Sequence, residues 1–420
     1  MSHPEITELL REAASIVEAP NFVSEAKRRA QRARRRRRAA TLGLCFAAAA
    51  AVVVIAVDLP PFDTPRATDT SPDPTPTAST TPQTSTEVTA LPLTASLAQP
   101  PWTNAKLSEL GWVDVGLPRL ITADGAGLPT LAEDPVPRAV AAVEAQGTNG
   151  TGILILGDDG NWRNLDLNLV RASDASGYTS PALWQDSLSP DGTRLAIPQP
   201  QQLVVVTFSS ATSTRYDVPG FNKSVVWSPD DQQVLVTTEE RTGGSMVNIA
   251  DGSVERVPFG ATAGFAPNGS VVEVTGDSLG AELNKYTPGS TQPETISGVA
   301  NINGPLLGEA PAVNSTVLAG ITEVGGYSVP RGPQEWGGVV VTDLATGNPL
   351  ALLPMHDYAY IYQSAALCWI NNDTVLVSIP ALSPTEPSHL VSWDYVTGDL
   401  NRVSQLPTSA VVSIADNLIG

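Results

Sequence analysis

Apolar positions fall into two unlike regimes along the chain. From Ala39 to Val57 the sequence runs AATLGLCFAAAAAVVVIAV, 19 residues without a charge. At about 1.5 Å of rise per residue, a helix of that length spans about 28 Å, enough for the hydrocarbon core of a bilayer. From Trp102 onward the apolar residues come instead in short runs, such as ILIL at 153–156, LVVVTF at 203–208, QVLVTT at 233–238, VVEVT at 271–275 and GVVVT at 338–342. Gly, Pro, Asp and Asn divide them, so these runs predict strands separated by turns. Near the N-terminus Ile6, Leu9, Leu10, Ala13, Ile16 and Val17 recur at helical spacing and predict one amphipathic helix. Ser2 and Glu5 fit a capping box before it, Pro4 suits its first turn, and Ala19-Pro20 ends it.

The strand region repeats itself. LSPDGTRLAIP from Leu188, WSPDDQQVLVTT from Trp227 and FAPNGSVVEVTG from Phe265 align, and their starts are 39 and 38 residues apart. WINNDTVLVSIP from Trp369 and PAVNSTVLAGI from Pro311 are more degenerate copies. Each reads as strand, tight turn, strand, with Pro190 and Pro229 fixing φ inside the turn and Gly192 following the Asp. A second hairpin accompanies them at 153–167, 204–218, 246–258, 283–296, 339–354 and 390–403. Two hairpins per repeat make four strands, and four strands per 40–50 residues is the propeller signature. Six second hairpins predict an all-β, six-bladed β-propeller over 102–420, with seven blades as the alternative. The apolar piece from Ala410 to Ile414 is expected to complete a blade with strands near 111–121, closing the ring and removing open sheet edges.

Charge divides the chain at the long apolar run. Residues 1–38 hold 10 Lys+Arg against 5 Glu, whereas 39–420 hold 14 basic residues against 38 acidic. Arg34, Arg35, Arg36, Arg37 and Arg38 abut the apolar run, and its other flank carries no basic residue before Arg66. The positive-inside rule then sets 1–38 in the cytoplasm, 39–57 across the plasma membrane as a signal-anchor, and 58–420 outside. The acidic outer part repels a phosphate backbone, which argues against nucleic-acid binding. Within 59–101, 25 of 43 residues are Pro, Thr or Ser, a composition that predicts a disordered, extended linker over 58–101. Two cysteines, Cys45 in the apolar run and Cys368 far from it, offer no disulfide framework. Few Lys beside many Arg, Ala and Val suggest a high-GC bacterial genome.

Catalytic and metal motifs are scarce. His3, His356 and His389 are the only histidines, and no H-E-x-x-H, paired-Cys, P-loop, G-x-G-x-x-G or G-x-S-x-G pattern accompanies them. The expectation is a non-enzyme without metal or cofactor. MHDYAYIYQ, from Met355, is the one compact polar-aromatic cluster, and Trp336 in RGPQEWGG is the best candidate for an exposed aromatic anchor. Trp227 and Trp369 occupy repeat positions and are expected in the core. The apolar stripe Ile6, Leu9, Leu10, Ala13, Ile16 and Val17 is the candidate surface for a cytosolic partner.

The W-SPDG-x-x-LA repeats resemble those of TolB-like and related WD-type β-propellers over about 190–400. Separately, LLREAASIVEAPNF, the basic run and the Ala/Val-rich span resemble the N-termini of actinobacterial membrane proteins associated with extracytoplasmic-function sigma factors. That likeness implies a sigma factor as cytosolic partner and an anti-sigma-like role as one alternative, although the H-x-x-x-C-x-x-C zinc motif of many anti-sigma domains is absent. The combined expectation is a membrane-anchored propeller that binds a protein or cell-envelope ligand outside the cell. A propeller-type enzyme with its active site at the central opening is the other alternative, favoured if carboxylates with perturbed pKa values cluster there.

Overall fold

In the computed structural model the described residues lie within 107–420, apart from 108, 122–124, 146–151, 168, 170–180, 239–242, 278–279, 298–309, 325–335, 356–363, 382–385 and 408–409. The amphipathic helix, the Arg cluster, the apolar span and the Pro/Thr-rich linker fall outside them. No helix among the described residues is long and apolar enough to cross a membrane.

Six antiparallel sheets form the blades of a propeller. Blade 1 takes β1 (Ala139–Ala145), β2 (Ile153–Gly157) and β3 (Trp162–Leu165); blade 2 has β4 (Arg194–Gln199), β5 (Gln202–Thr207) and β6 (Thr212–Asp217). Blade 3 is β7 (Asn222–Trp227), β8 (Gln233–Thr238), β9 (Gly244–Asn248) and β10 (Val254–Val257). Blade 4 is β11 (Ala263–Phe265), β12 (Val271–Asp277), β13 (Gly280–Tyr286) and β14 (Glu294–Ser297). Blade 5 is β15 (Ala312–Val313), β16 (Val317–Val324), β17 (Trp336–Asp343) and β18 (Pro349–Met355). Blade 6 is β19 (Ala365–Trp369), β20 (Thr374–Ile379), β21 (Ser388–Asp394) and β22 (Leu400–Leu406). In blade 2 the inner strand shrinks to a single bridge between Leu188 and Leu195. Every hairpin read from the repeats is present, and the second hairpins are the two outer strands of the six blades.

The ring closes differently from the sequence expectation. The last strand, β23 (Ala410–Ile414), pairs with β1, Ala141 opposite Ile414 and Ala145 opposite Ala410, and supplies the inner strand of blade 1. Residues 111–121 instead run along the outside of blade 6. Arg402 N–H donates to Gly111 O (2.7 Å), Val113 N–H to Arg402 O (2.9 Å), and Gln405 N–H to Arg119 O (2.9 Å). This strap bridges parallel to β22, which a ring-closing strand in the antiparallel blade cannot do. The chain then covers β3 of blade 1, where Asn164 N–H donates to Pro129 O at 2.9 Å. Two outer edges that would otherwise display free N–H and C=O groups are thereby covered.

The core follows from the ring. Middle strands are covered on both faces by neighbouring blades, so they read as unbroken apolar runs: β2 is buried throughout, whereas β6 at the rim is almost wholly exposed. Among the described residues, buried side chains form six clusters, one per blade interface. Ile153 and Ile155 meet Leu195 and Ile197 between blades 1 and 2, and Val339 and Leu353 meet Val377 and Trp393 between blades 5 and 6. Burial of each such side chain stabilises the fold by about 1.5–3 kcal/mol.

Candidate functional site

The inner strands end together at the axis of the ring. The last residues of β7, β11, β15, β19 and β23, which are Trp227, Phe265, Val313, Trp369 and Ile414, line one cavity of about 230 Å³, and Leu188 of blade 2 completes the circle. Turn geometry fixes this convergence. In the SPDG turn of blade 2, Gly192 N–H donates to Ser189 O (2.8 Å), and Asp191 Oδ1 accepts from Thr193 N–H (2.8 Å) and the Ser189 hydroxyl (2.8 Å). The fourth turn residue is left-handed in three blades, with φ of 72° at Gly192, 59° at Asp231 and 79° at Gly269. The chain therefore reverses at one level in these three blades, and the residue before each turn is delivered to the axis.

Two indoles are pinned there. Trp227 Nε1–H donates to Ser187 O (2.8 Å) and Trp369 Nε1–H to Ala312 O (3.0 Å), in each case on the inner segment of the preceding blade. Trp227 is buried and Trp369 only partly so; the repeat tryptophans expected in the core also form the cavity wall. On the entry side of the inner strands, Gln185 Nε2–H donates to Ala310 O at 2.9 Å. Those residues lead into blades 2 and 5, opposite one another in a six-fold ring, so this bond bridges the axis.

The polar part of the cavity is acidic. After β23 the chain makes a 3₁₀ turn (Asp416–Leu418), held by Ala415 N–H to Val140 O (3.0 Å) and Asn417 N–H to Pro190 O (3.0 Å). Asp416 and Asn417 thereby face the cavity, beside Asp186 and the buried Cys368, and among the described residues no Lys or Arg lines it. Asp416 presents surface to the water of the mouth while protein crowds it on its other sides. This desolvation, with a smaller contribution from the charge of Asp231, pushes its pKa up to about 7, against a lowering by the Cys368 thiol, which donates to the carboxylate. Burial, together with the charges of Asp416 and Asp186, drives the Cys368 thiol well above its ordinary value, so it stays protonated. Asp231 is raised to about 6, chiefly by burial and further by Asp191 and Asp230, while the Asp191 amide and Arg194 act the other way. Arg194 spends a guanidinium hydrogen on Asp231 O (3.1 Å).

The residues singled out from sequence lie elsewhere. Trp336 opens β17 opposite Val324, at the strand end remote from the cavity, and its side chain is outside the description. Of MHDYAYIYQ, Met355 ends β18 and is buried, and 356–363 fall outside the described residues. His389 is buried in β21, away from the cavity, with Nδ1 unpartnered. Ile6, Leu9, Leu10, Ala13, Ile16, Val17 and Arg34–Arg38 are outside the described residues. Among those residues no His, Cys, Asp and Glu group has the makings of a metal site. Asp416, Asp186 and Cys368 carry no motif in the sequence, and Asp231 is marked there only as a repeat-turn residue. The one usable signal was the large apolar residue before each turn, which marks the axis.

No protein-family model matches the chain, and no curated protein matches it. Among solved structures it is similar to TolB from Acinetobacter baumannii, at 12% identity over 67% of this chain and 78% of that one, TM-score 0.36. It is also similar to U3-55K, at 16% identity over 68% and 83% of the two chains, TM-score 0.40. A chain of a nidogen/laminin complex matches at 8% identity over 66% of this chain and 99% of its own length, TM-score 0.40.

Proposed function

We propose that this protein is a membrane-tethered, extracytoplasmic β-propeller that binds a protein or cell-envelope ligand at the turn face surrounding its axial cavity. The observation that carries this reading is the cavity itself, to which all six blades contribute and which combines aromatic walls with convergent carboxylates. At about 230 Å³ it is smaller than the roughly 300–1,000 Å³ of pockets for drug-sized ligands, so it suits one side chain or a small group of a larger partner. The tether rests on the uncharged run 39–57 behind Arg34–Arg38, and the linker 58–101 supplies reach. The helix carrying Ile6, Leu9, Leu10, Ala13, Ile16 and Val17 is the surface offered to a cytosolic regulator, such as a sigma factor.

The test is cross-linking in membranes followed by affinity recovery, comparing the full chain with a chain lacking residues 2–20 and with Asn417→Arg. Asn417 is exposed at the mouth and is held through its backbone, so the larger side chain obstructs the cavity without disturbing the ring. Loss of an outer partner with Asn417→Arg supports the proposed face; the same partners at the same yield sink it. A cytosolic protein that vanishes only with 2–20 assigns the helix its role.

A second reading, an enzyme working at the central opening, is favoured by one observation: Asp416 and Asp231 titrate near about 7 and about 6, where a carboxyl can serve as acid or base. Hydrolysis of an envelope-derived substrate that disappears with Asp416→Asn, while partner recovery persists, would select it.

A further inference from the structure

We propose that the strap over blade 6 is a latch on the axial cavity: its central arch, 114–118, holds the segment 416–420 in place, and when the strap leaves β22 that segment swings out, widening the cavity and uncovering Cys368. The latch goes beyond the binding reading and holds whatever the cavity takes. The strap pairs with β22 at two places, Gly111 and Val113 around Arg402, and Arg119 and Ile121 around Gln405. Between them five strap residues, 114–118, stand opposite only Val403 and Ser404. The surplus has no room along the strand and arches away from it. Asp114 Oδ1 accepts from Gly116 N–H at 3.0 Å, Gly116 takes φ of 88°, and the Ser404 hydroxyl donates to Pro118 O at 2.6 Å, so the arch is shaped at its crest and pinned at its foot. The crest meets the tail. Gly420 N–H donates to Val115 O (3.3 Å), a Cβ on Gly116 would lie 3.5 Å from Leu418 O, and Ile419 is buried in one cluster with Val115 and Leu117.

The segment's polar holds elsewhere are Asn417 N–H to Pro190 O (3.0 Å) and the Cys368 thiol, which donates to Asp416. Asp416 and Asn417 are exposed at the mouth and Leu418 is only partly buried, so Ile419 is the main anchor. Burial of an aliphatic side chain outweighs a hydrogen bond that water can replace. β23 itself is fastened to β1 by five residue pairs. The ring therefore stays closed while the shorter segment beyond it opens, a local event rather than unfolding. Along the chain the strap follows the linker 58–101, so traction on the linker reaches the latch before any blade.

The experiment follows native-state hydrogen exchange of the detergent-solubilised full chain in sub-denaturing urea. The amides of Val113 and Ile121 report the strap, those of Asn417 and Gly420 the tail, and the ladder amides of β5, β8 and β20 the blades. Strap and tail amides should exchange through one shared opening, about tenfold or more ahead of the blades. Maleimide labelling of Cys368, in a chain carrying Cys45→Ala, reads the same opening at the cavity. Leu117→Ala loosens the grip on Ile419 and should speed labelling about tenfold or more, whereas Leu203→Ala, the same truncation in the cluster between blades 2 and 3, should leave it within about twofold. Strap amides that exchange early while Asn417 and Gly420 exchange with the blades would overturn the proposal, because the strap would then leave a shut cavity. So would equal labelling of the two variants, which would mean that Cys368 is uncovered only by unfolding. Should Leu117→Ala not fold, the exchange pattern of the unsubstituted chain decides alone.

Discussion

Replacing Gly192 by Ala tests whether the repeat turns are fitted to the neighbouring blade or only to their own backbone. Gly192 has φ of 72°, and a Cβ there would lie 2.4 Å from Ala139 O and 2.7 Å from a methyl of Leu418. Gly160, in the outer hairpin of blade 1, has φ of 79° and nothing within 4 Å of its would-be Cβ. Gly160→Ala therefore costs the left-handed conformation alone, about 1–2 kcal/mol. Gly192→Ala adds a backbone collision that cannot be relieved by a rotamer. The Leu418 methyl can swing aside, but Ala139 O opens β1, whose N–H donates to Gly192 O at 2.7 Å. Moving the two apart weakens that bond, at about 0.5–1.5 kcal/mol, and strains the packing by about 1–3 kcal/mol more. The total is about 3–6 kcal/mol against about 1–2 for the control. At roughly 2–4 °C per kcal/mol for a domain of this size, Gly160→Ala should lower the melting temperature by about 2–8 °C and Gly192→Ala by about 6–24 °C. Thermal and urea unfolding of the full chain would measure both. Equal losses at the two positions would refute the reasoning, because the contact between turn and blade would then contribute nothing.

Three further outcomes are open to measurement. Trp112 lies 4.4 Å from the Arg402 guanidinium and 5.4 Å from that of Arg119, so Trp112→Ala should cost about 1–2 kcal/mol and raise hydrogen exchange at the Arg402 and Gln405 amides, which the strap covers. Protection unchanged at both amides would show that the strap does not depend on the stacked ring. Burial first, and then the positive charge of Arg402, lowers the His389 pKa from 6.5. Its neutral form is therefore favoured on folding, and its contribution is whole above pH 6.5 and lost as pH falls through the lower folded value. His389→Leu should flatten that acid-side loss; an unaltered profile of stability against pH would exclude it. Asp416 has the opposite sign, since its pKa rises on folding from 3.8 to about 7. Its stabilisation is complete below pH 3.8 and declines as pH rises through about 7, so Asp416→Asn should gain stability relative to the parent chain above pH 7 and approach it in acid. No relative gain at alkaline pH would mean that Asp416 is better solvated than its surroundings imply.

What the sequence discloses follows the physics of each feature. Strand and turn chemistry is local, so the second hairpins and the five first hairpins with tight turns were all legible. The bridge at Leu188 was readable only because SPDG follows it, although the inner strand there is a single pairing. Ring closure is not local. The strap at 111–121 and β23 both look like apolar strand pieces, and only geometry assigns one to the outer edge of blade 6 and the other to the axis. The candidate site was less legible still. Asp416 and Cys368 meet through pairings made far apart in the chain, and neither has a neighbour in sequence that advertises a site. Trp227 and Trp369 were assigned to the core by size and repeat position; burial and cavity lining turn out to be the same property at the end of an inner strand.

The element that closes the ring is also the one that completes the site. β23 buries Val412 and Ile414 against blades 1 and 6, and the very next residues place Asp416 and Asn417 in the cavity while Ile419 packs with Val115 and Leu117 of the strap. Gly420 N–H donates to Val115 O at 3.3 Å, so the tail touches the strap and the axis at once. An open ring would therefore lack both the inner strand of blade 1 and the acidic part of the cavity, even with every other blade formed. Losing burial of Val412, Ile414 and Ile419 alone removes about 4–9 kcal/mol, comparable with the whole stability of an ordinary domain. Closure of the ring and completion of the cavity are thus tied to one short segment, and a chain that cannot finish folding lacks Asp416 and Asn417 at the cavity mouth.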